Sequence, residues 1–417
     1  MAPRIPLNTV CVVGLGYIGL PTAAVLAQAG KTVVGVDVEQ TTVDAINDGR
    51  VPFAEEGLEA VVAGVVAQGR LSAGTVMPRA DAYIVAVPTP FRGDRAIDLS
   101  YIESAAESIA PRLEGGELIV LESTSPPGTT EHMAGVLLRA RPDLTDEPGS
   151  PASLHFAHAP ERVLPGRIMI EMVDNDRIIG GTTPEAAELT RDLYASFCHG
   201  ELLLTDARTA EMAKLTENAF RDVNIAFANE LSIIAERQGI DVWELIELAN
   251  HHPRVNILKP GPGVGGHCIA VDPWFIVAAE PEASRLIATA REVNDAKPDH
   301  VLRKVLERAD RFKKPTVAAL GISFKPDIDD LRESPSKEIC IALADQLPDA
   351  VVLVVEPNID QLPSELDGRD NVELTEMDDA VSRADIVLLL VDHTPFKDFD
   401  RDRLREKVLI DTRGLWR

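Results

Sequence analysis

Short, largely apolar runs, each closed by a turn signal, recur along this chain and alternate with stretches in which apolar residues return at helical spacing. Val10 to Val13, Thr32 to Val36, Ala82 to Val87, Leu118 to Leu121 and His155 to Ala157 read as buried strands. Leu20 to Ala29 reads as a helix that Gly30 ends. Strands alternating with helices predict a parallel sheet covered by helices. From Arg208 to Gln238 no Pro or Gly interrupts the chain, and Met212, Leu215, Ala219, Phe220, Val223, Phe227, Leu231 and Ile234 recur at helical intervals. A helix of that length extends about 45 Å and is expected to connect domains. After a Pro/Gly-rich loop from Lys259 to Gly266, Lys313-Lys314-Pro315 opens a further region. There Thr316 to Leu320, Ala350 to Val355, Ile386 to Val391 and Lys407 to Ile410 predict a second doubly wound α/β domain.

Length agrees with this division, since 417 residues exceed what one hydrophobic core usually serves. A composition of 45% hydrophobic and 26% charged residues is that of a globular protein. No apolar run approaches the roughly 18 residues of a membrane span, and Met1 to Asn8 hold no segment of signal-peptide length. Sixty-seven acidic against 41 basic side chains give a net charge of −26, which repels nucleic acid and anionic membranes. An anionic ligand therefore needs a local cluster of cations and backbone N–H groups. Cys11, Cys198, Cys268 and Cys340 are widely spaced with no CxxC pair, which fits a reducing compartment and a cytoplasmic location.

The first strand runs directly into Gly14-Leu15-Gly16-Tyr17-Ile18-Gly19, with Asp37 at the end of the second. In such a strand, turn and helix Gly14 allows the tight turn, Gly16 lets backbone approach a pyrophosphate, Gly19 lets helix pack on strand, and Asp37 accepts from a ribose 2′-hydroxyl. Asp37 would repel a 2′-phosphate and Val38-Glu39 supply no Arg for one, so NAD is expected rather than NADP. Thr89 and Thr124 follow the strands at Val87 and Leu121, at the carboxyl edge where open α/β sheets bind ligands. They are candidate cofactor contacts, or capping hydroxyls of Pro-rich turns. Lys214, Asn218 and Arg221 share one stripe of the long helix, which reads as a ligand-facing row or a solvated face. Cys268 follows Gly261-Pro262-Gly263-Val264-Gly265-Gly266-His267, a nearly side-chain-free run that leaves a thiol open to substrate. The other three cysteines have apolar neighbours and read as small core residues. Phe324-Lys325-Pro326-Asp327 and Leu331-Arg332-Glu333-Ser334 follow the first strand of the last domain. Lys325 and Arg332 there bind phosphate, or form a surface cluster that nearby acids neutralise.

Together with Pro160-Glu161-Arg162-Val163-Leu164-Pro165-Gly166, Glu211-Met212-Ala213-Lys214 and Gly263-Val264-Gly265-Gly266-His267-Cys268-Ile269-Ala270-Val271-Asp272-Pro273, these strings resemble the UDP-glucose/UDP-N-acetylmannosamine dehydrogenase family from Val10 to about Arg413. The resemblance implies two Rossmann-like doubly wound domains joined by a long central helix. It divides the chain into an NAD-binding domain at 1–207, a central helical and dimerising domain at 208–310, and a UDP-binding domain at 311–417. It also implies NAD-dependent oxidation of a UDP-sugar C6 hydroxyl to a carboxylate by a homodimer, with no metal. Cys268 would be the nucleophile, Lys214 the acid/base or oxyanion partner, Asn218 and Asp272 supports for water and thiol, and Glu161 a neighbour of the reacting carbon. Cofactor contacts would be Gly14, Gly16, Tyr17, Ile18, Gly19, Asp37, Thr89 and Thr124. Substrate contacts would be Arg162, Val163, Lys214, Asn218, Arg221, His252, Arg254, Gly265, Phe324, Lys325 and Arg332.

The UDP-glucose branch carries a second Glu where this chain has Pro165, which points to an N-acetylhexosamine, UDP-N-acetyl-D-mannosamine first. His252-Pro253-Arg254-Val255-Asn256 also looks like the N-acetylmannosamine branch, where the Arg comes from the partner subunit. The rivals are UDP-glucose or UDP-N-acetylglucosamine as substrate, a catalytically silent sensor, and a two-electron β-hydroxyacid dehydrogenase.

Overall fold

The computed structural model describes residues 7–53, 55–93, 97–164, 166–266 and 268–416. Met1 to Pro6, Pro165 and His267, which entered the expectations above, lie outside them. The chain forms two compact units, Met1–Thr216 and Glu217–Arg417, and the boundary falls inside the helix Ala207–Gln238.

The first unit holds an eight-stranded sheet. Its strands are β1 (Thr9–Val13), β2 (Thr32–Val36), β3 (Leu71–Gly74), β4 (Ala82–Val85), β5 (Leu118–Leu121), β6 (His155–His158), β7 (Arg177–Gly181) and β8 (Leu202–Asp206), in the order β3-β2-β1-β4-β5-β6-β7-β8. Alternate side chains of one strand serve opposite cores, as the two-residue period requires. Val10, Val12, Ile84 and Val120 enter one core, while Cys11, Val13, Tyr83, Ile119 and Phe156 enter the other. Burying each such aliphatic or aromatic side chain is worth about 1.5–3 kcal/mol, which is why the apolar runs become strands here.

The sheet departs from an all-parallel expectation at one place: β7 pairs with β6 antiparallel. The chain leaving β6 therefore turns back at the edge where β6 ends. This keeps Ala159–Asp176, with its short helix Ile168–Asp174, at the carboxyl edge of the sheet. The strands β3, β7 and β8 were not read from sequence: β3 has one large apolar residue, the Ile178-Ile179 of β7 runs into two glycines, and β8 is a sheet edge with Leu203 43% and Leu204 41% exposed.

The second unit holds five strands, all parallel: β9 (Thr316–Leu320), β10 (Val351–Val355), β11 (Val372–Leu374), β12 (Ile386–Leu389) and β13 (Val408–Asp411), in the order β11-β10-β9-β12-β13. Both sheets change winding direction beside their first strand, the point where doubly wound sheets bind ligands. Within this unit the long helix is tied to the helix Arg285–Ala309 by buried polar groups. Arg291 pairs with Asp222 at 2.5 Å, Asn294 donates to Asp222, and Asn229 donates to Asn294. Such groups are tolerated in a core only when paired. The Asn229 Oδ1 also accepts the Gly261 N–H at 2.9 Å, which anchors the start of the glycine-rich loop to the long helix. Among the described residues no helix is long and apolar enough to cross a membrane.

Candidate active site

In the first unit the turn after β1 has the shape a dinucleotide requires. Gly14 sits at φ 89°, where a Cβ would meet the Ala86 carbonyl oxygen at 2.7 Å, and a Cβ on Gly19 would overlap the Gly14 oxygen, so both positions exclude a side chain. Gly16 faces open space instead, which leaves its backbone accessible to a phosphate at the start of the helix Gly19–Gln28. The Asp37 carboxylate accepts the N–H of Leu15 at 2.8 Å and of Glu39 at 3.0 Å, so it braces this turn and keeps a lone pair on each oxygen. Tyr17 stacks on Phe53 at 4.3 Å, and Ile18 occupies the N-cap of the helix. Thr89, after β4, holds a buried hydroxyl with no protein partner, as a cofactor contact would. Thr124 is half-buried in the turn after β5. These residues fit NAD.

The chain after β6 carries Glu161, which is only 8% exposed. Its Oε2 accepts from Arg177 at 2.7 Å and its Oε1 accepts the Arg162 N–H at 2.6 Å. A buried guanidinium thus holds this carboxylate inward. Arg162 donates from its guanidinium to the Asp176 carbonyl at 3.1 Å, and Val163 packs partly against the core. Lys214 is half-buried on the long helix. One turn earlier, buried Glu211 accepts from the Gly128 N–H, the Thr130 N–H and the Thr130 hydroxyl. That clamp fixes the helix carrying Lys214 to the Pro-rich turn.

In the second unit the cysteines separate as expected: Cys268 is exposed, whereas Cys340 is buried, as are Cys11 and Cys198 of the first unit. Burial pushes the Cys11 and Cys340 thiols up to about 12, which silences them as nucleophiles. The Cys268 carbonyl accepts the Asp272 N–H at 2.8 Å, so the thiol lies on the turn that starts the helix Asp272–Ala279. Asp272 is 3% exposed, and its Oδ2 accepts from the Asn218 amide at 2.5 Å. The structure therefore joins two residues that lie 54 positions apart in sequence. A Cβ on Gly265 would meet the Glu333 carbonyl at 2.4 Å and the Phe324 Cβ at 2.9 Å, so the glycine loop lies directly on the turn that follows β9.

On that turn the Lys325 ammonium sits 6.0 Å from the Phe324 ring centroid. Arg332 forms a two-pronged pair with Asp330 at 2.9 and 2.7 Å, which spends much of the positive charge expected there. Arg221, His252 and Arg254 are exposed, and Arg254 donates its N–H to the His252 Nδ1 at 3.3 Å.

Sequence reading overlooked the residues that hold this turn. Glu356, at the end of β10, accepts the N–H groups of Ile322 and Ser323, as Asp37 after β2 accepts that of Leu15. His393 is fully buried, with Nε2 3.0 Å from Glu356 and Nδ1 3.0 Å from the Asp327 N–H. An acidic residue after the second strand of each doubly wound sheet was the signal that could have revealed Glu356. Nothing in the local pattern marks His393.

The comparisons with known proteins follow this division. Residues 8–198, 208–296 and 318–417 match the NAD binding, central and UDP binding domains of the UDP-glucose/GDP-mannose dehydrogenase family. A protein of Ralstonia nicotianae named NDP-N-acetyl-D-galactosaminuronic acid dehydrogenase is 58% identical over 99% of this chain and 97% of its own. The UDP-N-acetyl-D-mannosamine dehydrogenase of Escherichia coli K12 is 54% identical over 98% of this chain and 99% of its own. The structure of a UDP-D-ManNAc dehydrogenase from Pyrococcus horikoshii superposes with a TM-score of 0.86 at 37% identity, covering 98% of this chain and 96% of that one. With an NAD turn, a UDP-domain turn and a glycine-flanked thiol all in place, the chain belongs to the UDP-glucose/GDP-mannose dehydrogenase family and is an NAD-dependent UDP-sugar dehydrogenase.

Proposed function

We propose that this enzyme oxidises the C6 hydroxyl of a UDP-N-acetylhexosamine, UDP-N-acetyl-D-mannosamine first, to the uronate through a covalent Cys268 intermediate. The observation that carries the reading is an exposed thiol on a glycine loop seated against Phe324, with the Asn218–Asp272 pair at the same helix start. Bound NAD supplies the hydride acceptor for each two-electron step. Lys214 takes the hydroxyl proton in the first step, which leaves an aldehyde. The Cys268 thiolate then adds to the aldehyde carbon, giving a thiohemiacetal whose alkoxide Lys214 and Asn218 stabilise. Loss of the second hydride gives a thioester on Cys268. Water positioned by Asp272 and Glu161 cleaves it, returning the thiol and releasing the carboxylate. The balance is one alcohol and one water converted to one acid, with four electrons removed.

Lys325 and Phe324 are assigned to the UDP moiety, with Gly265 allowing close approach. Arg162, Val163, Arg221, His252, Arg254 and Arg332 complete the proposed substrate contacts. The domain limits 1–207, 208–310 and 311–417 belong to the same proposal, as does a cytoplasmic location, supported by four thiols without a CxxC pair. A homodimer is proposed from the long helix, where Phe220, Phe227 and Ile234 recur at seven-residue spacing and remain 71%, 57% and 49% exposed.

A second reading, UDP-N-acetylgalactosamine, is favoured by the relatives at 58% and 57% identity, whose names carry N-acetyl-D-galactosaminuronic acid. The test is NADH release from UDP-N-acetylmannosamine, UDP-N-acetylgalactosamine, UDP-N-acetylglucosamine and UDP-glucose. Two NADH per sugar from an N-acetylated substrate are expected. Best turnover of UDP-glucose would overturn the sugar assignment, and one NADH per sugar would overturn the four-electron mechanism.

A further inference from the structure

We propose that Glu122 and Arg177 are positioning residues for Glu161, forming a buried relay in which Glu122 governs through Arg177 how firmly the Glu161 carboxylate is held. The inference rests on the role given to Glu161 above and extends it to two residues to which that role assigns nothing.

Arg177 on β7 is 3% exposed, yet it lies among groups that cannot all be satisfied at once. Its Nη2 donates to the Glu161 Oε2 at 2.7 Å, while its Nη1 lies 3.8 Å from the Glu122 Oε1, beyond hydrogen-bond reach. The Tyr194 and Phe197 rings lie 5.1 and 5.6 Å from the guanidinium carbon and 5.4 Å from each other, so both pack on one side of it and favour its charged form there. Glu122, at the end of β5, is 1% exposed and faces Thr22 from the first helix, Tyr194 from the helix Pro184–Tyr194, Arg177 from β7 and Glu161 from the loop after β6. The Thr22 hydroxyl lies 2.9 Å from its Oε2 and the Tyr194 hydroxyl 3.0 Å from its Oε1.

Two carboxyls thus share one buried cation, with Glu122 the more deeply buried of the two. With both ionised the cluster carries an uncompensated negative charge, which burial penalises heavily. The proton belongs on Glu122, because Glu161 holds the shorter contact to Arg177. Burial, opposed by Arg177 and reinforced by Glu161, pushes the Glu122 carboxyl up to about 7. When Glu122 is neutral, Arg177 answers to Glu161 alone. When Glu122 ionises, a second anion competes for the same guanidinium, and the grip on Glu161 loosens. Neutral pH therefore falls on the slope of the relay.

The experiment measures kcat and KM for the best UDP-sugar between about pH 6 and about pH 9 in wild type, Glu122→Gln, Arg177→Met, Arg177→Lys and Glu161→Gln. Wild type is expected to show a kcat inflection near neutrality that Glu122→Gln lacks, with KM for NAD unchanged. Arg177→Met should lower kcat by at least ~10-fold, and Arg177→Lys, which keeps the charge, should recover part of it. Infrared difference spectra should show a protonated-carboxyl C=O band that disappears as pH rises in wild type and is missing from Glu122→Gln. A Glu161→Gln enzyme with undiminished kcat would overturn the role of Glu161 itself. A crippled Glu161→Gln enzyme, alongside a Glu122→Gln enzyme whose pH profile and carboxyl band match wild type, would overturn the relay and leave that role standing. Equal losses in Arg177→Met and Arg177→Lys, with unchanged profiles, would reduce Arg177 to a structural ion pair.

Discussion

The imidazole Nδ1 of His393 accepts the backbone N–H of Asp327 at 3.0 Å, although 66 residues separate them in sequence. Asp327 adopts φ 62°, a conformation that non-glycine residues take only when held there. Its carboxylate adds to the restraint by accepting the Thr394 N–H and hydroxyl, both at 2.8 Å. The turn that presents Phe324 and Lys325 is therefore shaped by a buried side chain from the segment after β12, the strand that pairs with β9. His393→Leu should raise KM for the UDP-sugar by ~5- to 100-fold, the worth of one to two buried hydrogen bonds, with KM for NAD unchanged. His393→Asn keeps an acceptor near the Nδ1 position and should recover much of the loss. Steady-state kinetics with each substrate varied in turn decides this.

Cys268→Ala should abolish acid formation by more than ~100-fold, since the covalent step is lost outright. Fluorescence titration should show NAD binding retained, because the cofactor turn lies on β1 and β2 of the first unit. Asn218→Leu should depress kcat as well, because it removes the 2.5 Å contact to Asp272 and leaves a buried carboxylate short of a donor. Near-normal acid output from Cys268→Ala would defeat the covalent mechanism.

Asp37 should give wild type at least a ~10-fold preference for NAD over NADP. Asp37→Ala should narrow that preference and also lower stability slightly, because the carboxylate braces the Leu15 and Glu39 N–H groups. Comparing kcat/KM for the two cofactors, with thermal melts alongside, separates the two effects.

Two buried groups should give stability opposite pH slopes. Burial lowers the His158 imidazole to about 3. Between its unfolded pKa of about 6.5 and that value, the unfolded chain binds a proton that the native state does not. Stability then falls with acid, by about 1 kcal/mol at one unit below 6.5. Glu122 has the reverse sign: its native value of about 7 lies above the unfolded one, so the native state holds an extra proton in that window and loses stability as pH rises toward 7. Urea unfolding at several pH values should show that His158→Gln flattens the acid slope and Glu122→Gln the neutral one.

Phe220, Phe227 and Ile234 form an apolar stripe that stays exposed in a single chain. Phe227→Glu should place a charge in that stripe and shift the proposed dimer to monomer in sedimentation experiments. An unchanged mass would exclude this face as the dimer contact.

The sequence by itself determined the central strands of both sheets and the long helix. β1, β2, β5 and β9 appear where their apolar runs lie, because strands buried on both faces need nothing beyond local composition to be recognised. The glycine turn, the long helix and the glycine-flanked thiol at Cys268 were legible for the same reason, since each is written within a few adjacent turns of chain. Tertiary structure alone decided how charges are paired. Arg332 pairs with Asp330, Glu161 is held inward by Arg177, and Glu122, Glu356 and His393 acquired their partners from positions distant in sequence. The antiparallel turn-back at β7 was equally hidden, because strand direction depends on where a connection returns and not on the residues of the strand. Hydrophobic periodicity records burial, which is local to an element, whereas a buried ion or hydrogen bond takes its meaning from a partner that only the fold brings within 3 Å.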